Sequence, residues 1–240
     1  MLSNIISNSV KKYTDKPIYF IYPVFLSVFF TFIIALTAVA IFLLIFFISA
    51  SFNLMDSHSS IVLTFASFVA FIFLAYCMVA NLSAMLNCFM TTEISRPHMF
   101  EYLRYAIKNS LRFFTIFAIG FGGFLILNLP IIIVFIIFKP ELFSLFGIVL
   151  LILCGFNGLV YKFIFSFVGI AAVVKNISAI EAIKSGIRFV IKNFIDVFIF
   201  NILCLIMWIT LLIPILNIVV FFSFYPIIFN AMANFYKIKS

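Results

Sequence analysis

The residue whose position most suggests a chemical role is Lys162, a basic side chain inside a long apolar run. Placing its ammonium in hydrocarbon costs about 2.5–3.5 kcal/mol on membrane-insertion scales. We therefore expect it to face a polar cavity, or to extend along its apolar stem to the membrane surface. Amides in the apolar runs hold membrane helices together, but they are also the candidates to line such a cavity. They are Asn81, Asn157, Asn201 and Asn230.

Two basic segments form a second candidate site. In each segment three cations recur every four residues beside a separate apolar stripe, which predicts an amphipathic helix. Such helices lie at membrane surfaces and attract anionic headgroups, at roughly 1 kcal/mol per cation. The alternative is that the cations only anchor the helices and set the topology. The candidate headgroup-binding residues are Arg104, Lys108, Arg112, Lys184, Arg188 and Lys192.

Residue types that carry catalysis or bind metals are few and scattered. The chain has two histidines, His58 and His98, and seven acidic residues. Its four cysteines lie in apolar runs at spacings that suit neither zinc nor a redox pair, so we interpret them as small buried hydrophobes. No metalloprotease, hydrolase or phosphate-loop motif occurs. The sequence therefore predicts a protein without enzymatic activity, bound metal or cofactor.

The composition identifies lipid as the surrounding solvent. Hydrophobic residues make up 67% of the chain and charged residues 9%, whereas soluble domains have about 45–50% and about 25%. The apolar runs last twenty to thirty residues without alternation, which excludes a membrane β-barrel and leaves helices. The predicted fold is all-α, a polytopic transmembrane helical bundle of about six spans with basic interfacial amphipathic helices. The predicted spans are 18–49, 61–90, 111–138, 142–174, 194–213 and 218–236.

The placement of Lys and Arg predicts the topology. The connections 51–60, 139–141 and 214–217 contain one basic residue, Lys139, whereas the segments on the opposite side contain thirteen. Because short loops rich in Lys and Arg stay in the cytoplasm, both termini are predicted to be cytoplasmic, in the cell (cytoplasmic) membrane. The net charge of +8 is thus explained by topology, and we predict no nucleic-acid partner.

The two basic segments match each other at an offset of 80 residues. Glu101 falls on Glu181, and the cations and apolar positions that follow fall on one another. Ser178 with Glu181 is also a capping-box start for the second segment. We predict one integral membrane domain, 1–240, with repeat units 1–90, 95–174 and 175–236, the first of them degenerate. The alternative is that any two basic interfacial helices can be placed in register.

The segment 173–186, followed by Lys192, Asn193 and Phe194, resembles a recurrent element of uncharacterised six-span membrane proteins of bacteria and archaea. The same element occurs in the membrane domain attached to some glycerophosphodiester phosphodiesterases. The specific match covers about a quarter of the chain. Gly186 after Ser185 departs from the element, and the catalytic phosphodiesterase domain has no counterpart in this sequence. The resemblance implies an accessory membrane module linked to lipids, without assigned chemistry.

Two functions follow as expectations. The first is a non-enzymatic module that binds or organises membrane lipids, anionic ones above all, or partner membrane proteins. The second is a small transporter or channel with a polar cavity around Lys162 on the cytoplasmic side.

Overall fold

A computed structural model describes residues 2–51, 55–91, 98–139, 144–210 and 220–240. Every regular element in these ranges is a helix, which confirms the all-α prediction. The helices are α1 (Leu2–Asp15), α2 (Pro17–Ser51), α3 (Met55–Thr91), α4 (Met99–Phe138), α5 (Leu145–Phe165), α6 (Val168–Lys175), α7 (Ala179–Lys192), α8 (Phe194–Thr210) and, after a π-helical turn (Val220–Phe224), α9 (Tyr225–Lys239).

Four helical stretches of the described residues are long and apolar enough to cross a membrane, and a fifth results if the bent pair α7–α8 counts as one span. The four are Pro17–Ile48, Thr64–Phe89, Met99–Phe138 and Leu145–Lys175. The last two predicted spans fall on α8 and α9. The turn predicted at 214–217 lies outside the described residues, as do Pro140 and Glu141.

Two boundaries differ from the prediction. The connection predicted at 51–60 is shorter, because α3 already begins at Met55. The fourth predicted span is divided, because α5 ends at Phe165 and α6 begins at Val168. At this break both the backbone N–H and the hydroxyl of Ser166 donate to the Phe163 carbonyl, over 3.3 Å and 2.7 Å. A serine hydroxyl that bonds the nearby backbone competes with the helical hydrogen bonds.

The chain divides into two compact units. The first unit contains Met1–Lys11 and Thr115–Ser240, and the second contains Lys12–Phe114. Helix α4 crosses the boundary, so its first part belongs to the second unit. In the second unit α2 packs along α3, and in the first unit α6, α7 and α9 pack together.

The core of the first unit is aromatic. The Phe189 ring of α7 lies 4.9 Å from the ring of Phe167 and 4.6 Å from that of Tyr236 in α9. Phe200 of α8 and Phe235 of α9 are buried in the same cluster. Aromatic pairs at such distances contribute about 0.5–1.5 kcal/mol each beyond their burial. The cluster therefore fixes α7 against α9 and against Phe167 at the break between α5 and α6.

Candidate functional site

Helix α7 presents three different faces. One face is buried and contains Ala182, Gly186, Phe189 and Val190. A second carries the exposed cations Lys184, Arg188 and Lys192. Between these lies an apolar stripe that also faces outward, with Ile180 58% exposed and Ile191 72% exposed. The helix therefore offers cations and apolar groups side by side on its free surface.

The two ends of α7 set its direction. At its start Ser178 and Glu181 form the capping box that the sequence predicts, with the Glu181 N–H donating to the Ser178 hydroxyl. At its end Asn193 leaves the helical conformation, with φ −118° and ψ 39°. Helix α8 then departs at an angle of 102° to α7. An α8 that crosses a membrane would therefore have α7 roughly parallel to the membrane plane.

The buried face of α7 packs closely on α6. A Cβ atom at Gly186 would lie 2.7 Å from the Val168 Cα atom, a separation that side chains do not adopt. The absence of a side chain thus permits the two backbones to approach. The hydroxyl groups of Ser185 and Tyr236 are hydrogen-bonded over 2.8 Å, which also ties α7 to α9.

Residues 99–112, which we call the α4 head, present the same three faces. Tyr102, Ala106, Asn109 and Ser110 are buried; all four stand 80 residues before the buried positions of α7. Arg104 and Lys108 are exposed, and Arg112 is half-buried, with its guanidinium 5.3 Å from the Phe113 ring. The apolar stripe is exposed, as in α7: Phe100 82%, Ile107 73% and Leu111 69%.

The buried face of the α4 head is polar, unlike that of α7. The Tyr102 hydroxyl donates to the Asn81 carbonyl over 3.0 Å and also bonds its side-chain oxygen. The Asn81 amide donates in turn to the Ser27 carbonyl over 2.9 Å and to the Thr31 hydroxyl over 3.0 Å. The hydroxyl groups of Tyr76 and Ser110 form a further hydrogen bond. Asn81 thus joins α2, α3 and α4.

The α4 head also differs from α7 in its direction. It continues into the rest of α4 without a break, as one helix of 40 residues. At 1.5 Å per residue this helix is about 60 Å long, twice the thickness of a hydrocarbon core. The sequence predicts an interfacial helix that feeds a separate span, and here the structure shows one continuous helix.

Lys162 lies in the last turn of α5, because α5 ends at Phe165. It is exposed and lines a cleft of about 460 Å³ between α5 and α8. Asn201 is the other polar residue of this cleft. The rest of the lining is aliphatic or aromatic: Phe156, Leu159, Val160, Phe163, Phe194, Phe198, Ile202 and Leu205. The polar cavity predicted around Lys162 is therefore an apolar cleft with one cation and one amide.

The other predicted amides bond neighbouring helices. Asn157 donates to the Asn128 side-chain oxygen over 3.2 Å and so joins α5 to α4. Asn230 accepts from the Ser9 hydroxyl over 3.0 Å, joining α9 to α1, and does not line the cleft. Asn201 donates to the Ser166 hydroxyl over 3.4 Å as well as to the Val197 carbonyl. These contacts fit the interpretation of the amides as links between helices.

Sequence reasoning missed the aromatic cluster beneath α7 and the Tyr102 hydroxyl beneath the α4 head. The phenylalanine content, 37 residues, was a signal of aromatic packing but did not say which rings meet. A tyrosine between the stripe positions of an amphipathic helix signals a buried hydroxyl that needs a partner.

No family model, curated protein or solved structure matches the chain. The resemblance of the segment 173–186 to the six-span element therefore stays a prediction.

Proposed function

We propose that this chain is a six-span protein of the cell membrane that binds anionic lipid headgroups through α7 and the α4 head. In this proposal it acts as a non-enzymatic module that organises lipids around itself or around partner membrane proteins. The headgroup-binding residues are Arg104, Lys108, Arg112, Lys184, Arg188 and Lys192.

The observation that carries the proposal is the side-by-side exposure of cations and apolar groups on both segments. In α7, Lys184 and Arg188 are exposed beside Ile180 and Ile191, while the third face is buried. An exposed apolar stripe costs free energy in water and gains it among acyl chains. A membrane interface satisfies both free faces, because it places headgroups next to acyl chains.

The orientation rests on charge. The thirteen-to-one distribution of Lys and Arg favours cytoplasmic termini and an even number of spans. The 102° bend at the end of α7 supports an interfacial α7 followed by a span. The resemblance to the six-span element is consistent with the same arrangement.

Cysteine labelling tests the topology. In a cysteine-free background, Lys139→Cys should react with a membrane-impermeant maleimide in intact cells, whereas Lys184→Cys should react only after permeabilisation. Both positions are exposed in the structure, so access depends on the side of the membrane. Reaction of Lys184→Cys in intact cells would contradict the orientation.

Native mass spectrometry tests the lipid binding. The protein is released from mixed phosphatidylglycerol and phosphatidylcholine, and its retained lipids are counted. Replacing Lys184, Arg188 and Lys192 by Gln should weaken retention of phosphatidylglycerol, as should the same change at Arg104, Lys108 and Arg112. Three cations contribute about 3 kcal/mol, on the order of a hundredfold in affinity. Retention of phosphatidylcholine should not change.

The matched control removes the same charge elsewhere, by Gln at Lys11, Lys12 and Lys16. This variant should retain phosphatidylglycerol like the unaltered protein. If it loses as much as the other two variants, net charge rather than the two amphipathic faces explains the binding, and the proposal is wrong.

A further inference from the structure

We infer that the cleft between α5 and α8 binds one anionic phospholipid, with an acyl chain in the cleft and the phosphate at the Lys162 ammonium. This site is separate from the two basic segments. It rests on the proposed function in that the protein must be embedded in a membrane with α7 at the membrane surface.

The level of Lys162 along α5 supports the placement of a headgroup there. The ring of Phe163, the next residue, lies 5.1 Å from the ring of Phe194. Phe194 is the first residue of α8, directly after the bend that follows α7. With α7 at the membrane surface, as proposed above, Phe194 and the Phe163 ring beside it lie near that surface. The Lys162 side chain can then reach the surface along its apolar stem.

Below Lys162 the cleft offers an apolar path. Its lining descends α5 from Lys162 to Phe156 and α8 from Phe194 to Leu205. These stretches are about 9 Å and about 17 Å long at 1.5 Å per residue. Asn201, the one other polar residue of the lining, is held by Ser166 and Val197 and helps to position α8 beside the cleft.

The lining and the charge of the cleft favour a lipid as the occupant. Eight of its ten lining residues are aliphatic or aromatic, which suits an acyl chain. The lining contains a cation and no acidic residue, which favours a headgroup with net negative charge over a zwitterionic one.

The cleft is also open for entry from the side. Phe156 and Phe194 at its two ends are 61% and 57% exposed. A lipid of the surrounding bilayer can therefore enter without any rearrangement of the helices. A diacyl phospholipid fits this opening, because its second chain can remain in the bilayer.

Quenching of the chain's single tryptophan, Trp208, tests the inference. Trp208 lies in α8, one helical turn beyond Leu205 of the cleft. The purified full chain is placed in nanodiscs of phosphatidylglycerol and phosphatidylcholine in which only one of the two lipids carries brominated acyl chains. Brominated phosphatidylglycerol should quench Trp208 more strongly than brominated phosphatidylcholine at the same mole fraction. Equal quenching would overturn the inference.

Three variants identify the cause of the preference. Lys162→Gln should lose the preference for phosphatidylglycerol, and Lys162→Arg should keep it. Lys175→Gln, which removes an exposed cation outside the cleft, should also keep it. Circular dichroism confirms that each variant is folded. If Lys162→Gln keeps the preference, or if Lys162→Arg loses it while helical, the site is wrong.

The experiments can refute either proposal without refuting the other. Loss of the quenching preference in Lys162→Gln, with unchanged lipid retention in the Gln variants of the basic segments, would leave the cleft standing and refute the proposed function. An unchanged preference in Lys162→Gln, with reduced retention in those variants, would refute the cleft alone.

Discussion

Helix α7 and the α4 head expose the same pattern of cations and apolar residues, but their buried faces make different contacts. Both bury four positions that correspond at an offset of 80 residues, and both expose a basic stripe beside an apolar one. Beneath α7 the contacts are apolar and close, through Gly186 and Phe189. Beneath the α4 head they are hydrogen bonds of Tyr102 and Ser110. Two segments that expose the same pattern can thus pack on their neighbours through different contacts.

The two segments also end differently at corresponding positions. Asn193 follows α7 and leaves the helical conformation. Its amide donates to the Phe189 carbonyl over 3.1 Å, but Asn109 makes the same bond to Tyr105 inside the unbroken α4, so this bond alone does not end a helix. The corresponding residue after the α4 head is Phe113, which is 5% exposed and continues the helix. The bend therefore belongs to α7 alone.

The largest difference in stability between the segments is expected when the small residue of each buried face is replaced by its counterpart, Gly186 by Ala and Ala106 by Gly. Gly186→Ala places a Cβ atom 2.7 Å from the Val168 backbone, so it should destabilise the protein by about 1–3 kcal/mol. Ala106→Gly should cost less than about 1 kcal/mol, mainly through helix propensity. Unfolding in detergent and sodium dodecyl sulfate measures both. A larger loss for Ala106→Gly would show that the close packing is not specific to α7.

A smaller difference is expected from the same change at two tyrosines. Tyr102→Phe removes the hydroxyl that bonds the oxygens of the buried Asn81. This change should lower the stability by about 1–2 kcal/mol. Tyr236→Phe removes one hydrogen bond, to the half-buried Ser185, and should cost about 0.5 kcal/mol. The same unfolding measurement compares the variants. Equal losses of stability in the two variants would mean that the polar buried face of the α4 head adds no stability of its own.

The smallest difference in stability is expected from substitutions at the first residues of the two segments. Ser178→Ala removes the capping box of α7 and should cost about 0.5–1 kcal/mol. His98→Ala, 80 residues earlier, is the matched control. Because His98 is exposed, this change should alter the stability by less than about 0.3 kcal/mol. Hydrogen exchange of the first turn of each helix gives the local readout. Unchanged exchange at Ile180–Ala182 in Ser178→Ala would contradict the role of the cap.

Features that depend on local spacing could be predicted from the sequence alone. The long apolar runs require helices, because lipid leaves the backbone no other partner. The four-residue spacing of the cations in the α4 head and α7 placed them on one face of each helix, and the structure exposes that face except at the half-buried Arg112. Ser178 and Glu181 predicted the start of α7 correctly, since a capping box involves only four consecutive residues.

Which groups meet and where helices end depend on tertiary packing. The sequence placed Lys162 well inside a span, but it did not show that α5 ends three residues later at Phe165 or that the Phe163 ring meets Phe194. It could not pair Ser9 with Asn230, which are 221 residues apart. Periodicity reports which face of a helix is apolar, but it does not identify the partner on that face. That choice depends on shape and hydrogen-bonding partners contributed by distant parts of the chain, which no local pattern encodes.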